Sequence, residues 1–356
     1  VLDRRSFLGT GLAFVAGPAL CDAPGPSLRG TLAEPVADDT PSMQAAIDQA
    51  ASMGVPLRLG PGVFHVSGLV LPSGLALQGV GGATRLIGSG RVLALIDGID
   101  QVRLSDLVLD GSGMSESPAA PGVLSVLGAR RLWLERVEIR SAPGDGLFLD
   151  AAQAVLRDLT ITGPRRHGIV VMNARGVEIS AGQVLSPGGS GVQIIRRERG
   201  PDTTRIEGLR IEAARGPAAV SIMRASGVSL TRVVIDGALG AGVDILDAHA
   251  TGIEAAHILR TQGAGVRVLG ASMRTRVTMS RIEDAATGIE DRGPGPGLYI
   301  ANAVTRCRIG IALAAPDGGH VMADNLITGT ETGAVVSIDS DGKPRADASR
   351  REPSPG

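Results

Sequence analysis

Lysine is nearly absent from this 356-residue chain: Lys343, close to the C-terminus, is the only one, and every other basic residue is arginine. No chemistry in the body of the protein can therefore rest on a lysine base or a lysine Schiff base. Aromatic residues make up 2% of the chain. Phe7 and Phe14 fall at its start, which leaves Phe64, Trp133, Phe148 and Tyr299 for a folded body. Long glycan grooves draw much contact area from aromatic faces, and four scattered rings cannot line one. The two cysteines, Cys21 and Cys307, show neither CxxC nor zinc spacing, which argues against a disulfide framework. A net charge of −1 gives no case for a nucleic-acid partner or an anionic membrane.

The start of the chain reads Asp3-Arg4-Arg5-Ser6-Phe7-Leu8-Gly9, followed by the apolar run Thr10–Gly17. Paired Arg4 and Arg5, then Phe7-Leu8 and a mild Gly/Ala-containing run, resemble a twin-arginine export signal. The run is too short to span the roughly 30 Å of a bilayer's hydrocarbon, so no transmembrane segment is expected in the mature protein. This reading makes residues 1–23 a signal peptide with cleavage between Ala16 and Ala23, and residues 24–37 a linker. It implies a periplasmic or secreted protein whose first partner is the twin-arginine translocation machinery. That route carries proteins already folded. No cofactor cradle is visible and no cofactor is expected, so rapid folding is the favoured reason for its use.

What the chain does contain is a glycine at an almost fixed interval. Gly146, Gly168, Gly191, Gly242, Gly265, Gly288, Gly310 and Gly333 are separated by 22, 23, 51, 23, 23, 22 and 23 residues. The long step is two periods in which one glycine is replaced. Each glycine opens a short apolar strand such as Gly168-Ile169-Val170-Val171 or Gly242-Val243-Asp244-Ile245. Ile139, Ile161, Val184, Ile235 and Ile258 each stand seven residues before their glycine. Strands repeating in the low twenties with no helix per unit mark a solenoid of stacked coils. The expected class is all-β, a single-stranded right-handed parallel β-helix over residues 38–338, with a polar, disordered tail over 339–356.

A solenoid must hide its first apolar coil from water. Asp39-Thr40-Pro41 begins a helix whose stripe is Met43, Ile47 and Ala50/Ala51, with Thr40 as N-cap and Pro41 in the first turn. A Pro-Gly turn and strand, Pro61-Gly62-Val63-Phe64-His65-Val66, follows, and then Leu75-Ala76-Leu77-Gln78-Gly79-Val80-Gly81. This stretch resembles the N-terminal module of pectate-lyase-like right-handed parallel β-helices. With the leader and the repeats, the chain looks like an uncharacterised family of twin-arginine-exported β-helix proteins. The resemblance implies a fold and an association with polysaccharide, but it transfers no catalytic motif. The polygalacturonase series and the DPHD of alginate epimerases are both missing.

Equivalent residues on neighbouring coils stack about 4.8 Å apart, so the sequence also yields ladders. Two residues past each glycine, an outward row reads Phe148, Val170, Gln193, Ser221, Asp244, Arg267, Glu290, Ala312, Val335. Within it, Asp244, Arg267 and Glu290 could hold a sugar acid and supply a carboxylate acid or base, or could simply form an ion-pair ladder. One residue before the glycine, Asp145, His167 and Ser190 fall on consecutive coils in acid–base–nucleophile order. His167 follows Arg165-Arg166, which could hold an anion beside the imidazole. Three polar turn residues in chance alignment would look the same. Asp244, Asp247 and His249 cluster in sequence, although solvated turn polarity explains them as well as a cation does. No metal is expected.

Two functional readings stand side by side. Asp145, His167, Asp244, Arg267 and Glu290 are the candidate catalytic residues of a lyase-, hydrolase- or epimerase-like protein acting on an acidic polysaccharide. The alternative is a non-catalytic glycan-binding or scaffold solenoid of the cell envelope, favoured by the scarce aromatics and missing motifs. The sequence does not decide whether the protein is an enzyme.

Overall fold

A computed structural model describes residues 27–28, 38–117, 121–339 and 341–345. The leader residues Arg4, Arg5, Phe7 and Leu8 lie outside the described residues. From Leu57 to Ser337 the chain winds through about twelve coils, and each coil lays strands on three faces. In coil 4, Leu132–Arg140 runs along face A, turns at Arg136, and continues on face B, while Asp145–Asp150 forms face C. Coil 5 repeats the path with Ala154–Arg157, Thr160–Thr162 and Ile169–Met172. Neighbouring coils pair in parallel on every face. The expected inward residues Ile169, Val192, Val243, Val266 and Ile289 are all buried in one continuous core.

The repeat glycines are there for close approach rather than for backbone conformation. A Cβ on Gly168 would lie 2.5 Å from the carbonyl oxygen of Gly191 and 2.5 Å from Val184 Cγ1. On Gly242 it would lie 2.5 Å from the Gly265 oxygen and 2.6 Å from Ile258 Cγ2. The branched residue seven positions before each glycine thus fills the space that the glycine of the preceding coil leaves open. This links two sequence regularities to one packing contact.

Left-handed backbone occurs elsewhere, at the corners. Every A-to-B turn from Asp106 onward holds at least one residue with positive φ: Arg136, Asp158, Ala181 with Gly182, Gly208, Arg232, Ala255, Met279, Ala301 and Asp324 follow. Most are not glycine, so the corners carry a conformational cost of about 1 kcal/mol or more each. Their amides offset it by donating to the next coil, as Asp158 N does to Ser180 O and Met279 N to Ile300 O. Beside them runs a side-chain ladder: Asn325 Oδ1 accepts from the amide and side chain of Asn302, and Asn302 Oδ1 accepts from the Ser280 amide.

The long glycine step has a local cause. Val192 pairs with Val220, so Ala219, 28 residues after Gly191, takes the glycine position. The extra residues form a bulge between Ile195 and Gly200. At the far end Ile309 pairs with Gly333 and Ala312 with Val336, so Ala334 rather than Gly333 stacks on Gly310. The outward row therefore ends on Val336, not Val335.

Helix α1, Thr40–Met53, closes the N-terminal end and buries Met43, Ile47 and Ala50. Its N-cap is Asp39, not Thr40. Both side chains are used to stitch the helix to coil 1: Asp39 Oδ2 accepts from the His65 amide, and Thr40 Oγ1 from the Ser67 amide. Where the sequence reads a disordered tail from Asp339, the described residues fold back in a turn. Asp339 Oδ1 accepts the amides of Asp341 and Lys343, and Arg345 N donates to Ser337 O.

Candidate functional site

The B-to-C corners of coils 3–5 enclose an open cleft of about 560 Å³. Ser112, Ser115 and Glu116 line it from coil 3, Ser141 and Pro143 from coil 4, and Gly163 and Arg165 from coil 5. Face B of coil 3 ends in the excursion Gly111–Ser117, where Asp110 Oδ1 accepts the Ser112 amide and the Ser115 amide donates to Gly90 O. Arg165 is fixed through its backbone, N donating to Ala142 O at 2.9 Å, and its exposed guanidinium has no ion-pair partner among the described residues. The neighbouring Arg166 reaches Glu116 Oε1 and Asp145 Oδ2, both at 3.4 Å. The cleft therefore offers one free cation, several hydroxyls and a link to a buried carboxylate.

Asp145, His167 and Ser190 do stack on consecutive coils, but each side chain meets the next backbone rather than the next side chain. Asp145 Oδ1 accepts from His167 N at 3.0 Å, and His167 Nδ1 accepts from Ser190 N at 3.0 Å. Asp145 is buried at 1% exposure, and its Oδ2 makes no hydrogen bond. Burial pushes this carboxyl above its ordinary value, against the His167 amide and the Arg166 charge. Burial likewise pushes the His167 imidazole down, with Asp145 opposing and Arg166 reinforcing.

The histidine shift has a consequence for stability. Nδ1 can accept the Ser190 amide only while it carries no proton. A folded pKa below the unfolded value gives stability that is full above pH 6.5 and is lost as pH falls through the folded pKa. Asp145, shifted upward, works in the opposite direction and gains on acidification. His167→Asn, which keeps an acceptor but cannot titrate, isolates the imidazole. Its urea midpoint should gain on the wild type as pH falls from about 8 to 5. A gap that stays constant would show that His167 does not titrate against the fold.

The second predicted ladder is in register: Asp244 pairs with Arg267 and Arg267 with Glu290 along face C. All three are half-buried. Arg267 binds Asp244 through two contacts, Nε to Oδ1 at 3.1 Å and Nη2 to Oδ2 at 2.8 Å. Glu290 is instead taken by Arg292, just past the end of its own strand. Asp247 accepts the Ala271 amide and lies 3.3 Å from Arg199, so it does not join Asp244 and His249. Among the described residues no group of three or more His, Cys, Asp or Glu could hold a metal ion.

Sequence reasoning missed several features. Arg166 and Glu116 are 50 residues apart in sequence and meet only through the coil-3 excursion. A buried polar cluster sits inside the solenoid near its C-terminal end. There the Tyr299 hydroxyl donates to Asp291, and His320 Nδ1 accepts from Gly297 N at 3.0 Å. Its buried side chains are shut off from solvent and brace the last coils. Residues 196–199, which the period marks only as an irregular step, clamp the C-to-A corner through Arg197–Asp150 and Arg199–Asp247.

The family model described as the right handed beta helix region matches residues 123–303, half of the chain. The chain belongs to the right-handed β-helix family. It is similar to the mannuronan C5-epimerase AlgE2 of Azotobacter vinelandii, 36% identical over 143 residues. That match covers 33% of this chain and 14% of the relative, so the chain spans only a small part of the epimerase's length. Among solved structures, the tailspike of E. coli bacteriophage HK620, in complex with a pentasaccharide, aligns with a TM-score of 0.67 at 13% identity. The alignment covers 84% of this chain and 64% of the tailspike. PfbA, a surface adhesin of Streptococcus pneumoniae, aligns with a TM-score of 0.55 at 11% identity, covering 92% of this chain and 97% of PfbA. At these identities the structural likeness establishes the fold alone. Among the described residues no helix is long and apolar enough to cross a membrane.

Proposed function

We propose that this protein binds an acidic polysaccharide at the B-to-C corner cleft, and does so in the periplasm or outside the cell. The observation that carries this reading is the unpaired Arg165 guanidinium on the rim of a cleft lined by Ser112, Ser115 and Ser141. A guanidinium matches a uronate carboxylate in a two-pronged geometry, and hydroxyls serve the ring oxygens and hydroxyls beside it. The epimerase relative and the saccharide-bound tailspike support a glycan as ligand. In this reading Asp244 and Arg267 form an ion pair that ties two coils together, and Glu290 pairs with Arg292 within its own coil. Export by the twin-arginine route would be lost on changing Arg4 and Arg5 together to Lys, and normal export of that double variant would refute it.

A second reading, processing of the bound glycan, is favoured by one feature. Asp145 is a carboxyl raised by burial and joined through Arg166 to a cleft residue, a pairing suited to acid–base work. His167 would be its partner, while Asp244, Arg267 and Glu290 lie on other coils. A screen of the purified protein against anionic polysaccharides separates the readings. Retention in an affinity gel without unsaturated products, new reducing ends or altered uronate configuration supports binding alone. Any of those products establishes processing, and a failure to retain any anionic polymer defeats both.

A further inference from the structure

The only tryptophan of the chain stands in a second cleft, at the C-to-A corner. Trp133 lies on the outward side of face A, half-buried, paired in register with Arg103 of the coil before and Val155 of the coil after. The Arg103 guanidinium sits over the ring, 5.5 Å from its centroid. That contact holds the indole from the N-terminal side. The cleft, of about 320 Å³, lies on the other side, lined by coils 4–6: Trp133, Ala154, Val155 and Gly176 as floor and wall, with Arg130, Arg131, Arg175, Gln153 and Glu178 around them. Of its charged members, Arg131 faces Asp100 and Glu178 faces Arg205, each at 3.6 Å and both well exposed. Arg130 and Arg175 are exposed and have no ion pair among the described residues.

We propose that this cleft is a separate subsite for an acidic saccharide, in which a pyranose ring stacks on Trp133 and its carboxylate is held by Arg130 and Arg175. The proposal rests on the reading that the ligand is an acidic glycan, and places a second contact for it away from the Arg165 cleft. An aromatic face takes the apolar side of a sugar ring, and the ring already pinned by Arg103 loses little freedom on binding. Two unpaired guanidiniums beside that face select for a negative charge. The remainder of the cleft is neutral or already paired, so its cationic excess comes from Arg130 and Arg175.

The lone tryptophan reports on the site directly. The purified protein is titrated with a mannuronate tetrasaccharide, cellotetraose and an eight-residue oligothymidylate, following Trp133 emission. A saturable change is expected with the acidic saccharide only, weakening as salt is raised. The double variant Arg130→Ala/Arg175→Ala leaves the ring in place and should weaken that titration at least about tenfold. These two side chains are exposed, so loss of folding does not cloud the result. No saturable change with the tetrasaccharide, an equal change with cellotetraose, or an equal change with the oligothymidylate would overturn the assignment. Calorimetry on the same samples keeps the two readings apart. Acidic saccharide bound in an Arg165-dependent manner with a silent Trp133 removes this subsite and leaves the corner cleft standing. A Trp133 response in samples whose calorimetry shows no Arg165-dependent binding does the reverse.

Discussion

Val243→Asp is expected to cost at least about 4 kcal/mol, enough to break the solenoid in two. Val243 is 1% exposed, and it is stacked on Val220 of the coil before and Val266 of the coil after. An aspartate there meets only apolar neighbours, so it must either stay charged without a partner or bind a proton at a cost. In a stack, each coil is stabilised mainly by the two it touches, so the damage separates the coils before it from those after it. Trp133, on coil 4, then reports the N-terminal part while far-UV dichroism reports the whole. Their urea transitions should part company in the variant and coincide in the wild type. A variant with the wild-type midpoint would mean that Val243 does not face the core.

Arg165→Ala is expected to weaken binding of an acidic polysaccharide about 10- to 100-fold while changing stability by less than about 0.5 kcal/mol. The side chain is exposed and unpaired, and the bond that fixes this residue, to Ala142 O, comes from its backbone. What is removed is a charge-assisted contact to a carboxylate, which is roughly twice as strong as a neutral hydrogen bond. Arg165→Lys should restore part of the affinity, because it returns the charge without the planar fork. Isothermal titration with polymannuronate, beside urea melts of the same variants, checks both halves. Unchanged affinity in Arg165→Ala would move the ligand out of this cleft.

The architecture was legible because it rests on repetition. Gly168 and Val184, or Gly242 and Ile258, recur at one interval since each pair is a single contact between adjacent coils. The same logic placed Asp244 beside Arg267 and Asp145 beside His167 correctly in register. Where one residue substitutes for another the period blurs: Ala219 and Ala334 occupy glycine positions, and the last step slips by one. The corners were silent. Ala181, Arg232 and Met279 adopt positive φ, a conformation that their identities do not announce. Nor does spacing say where a side chain points. Asp145 and His167 were one coil apart as read, yet their polar atoms bind backbone amides, which an alignment of residue types cannot reveal. The two clefts were hidden for another reason. Each combines residues from three coils, the first with a corner excursion as well, so Glu116 meets Arg166, and Arg175 nears Trp133, only once the stack exists.

The most direct test is a crystal structure of the protein with a mannuronate oligosaccharide bound. A uronate carboxylate within hydrogen-bonding distance of Arg165, in the cleft between Ser112 and Ser141, is the expected result. An oligosaccharide seated on another part of the solenoid, with the Arg165 guanidinium still free, would contradict it.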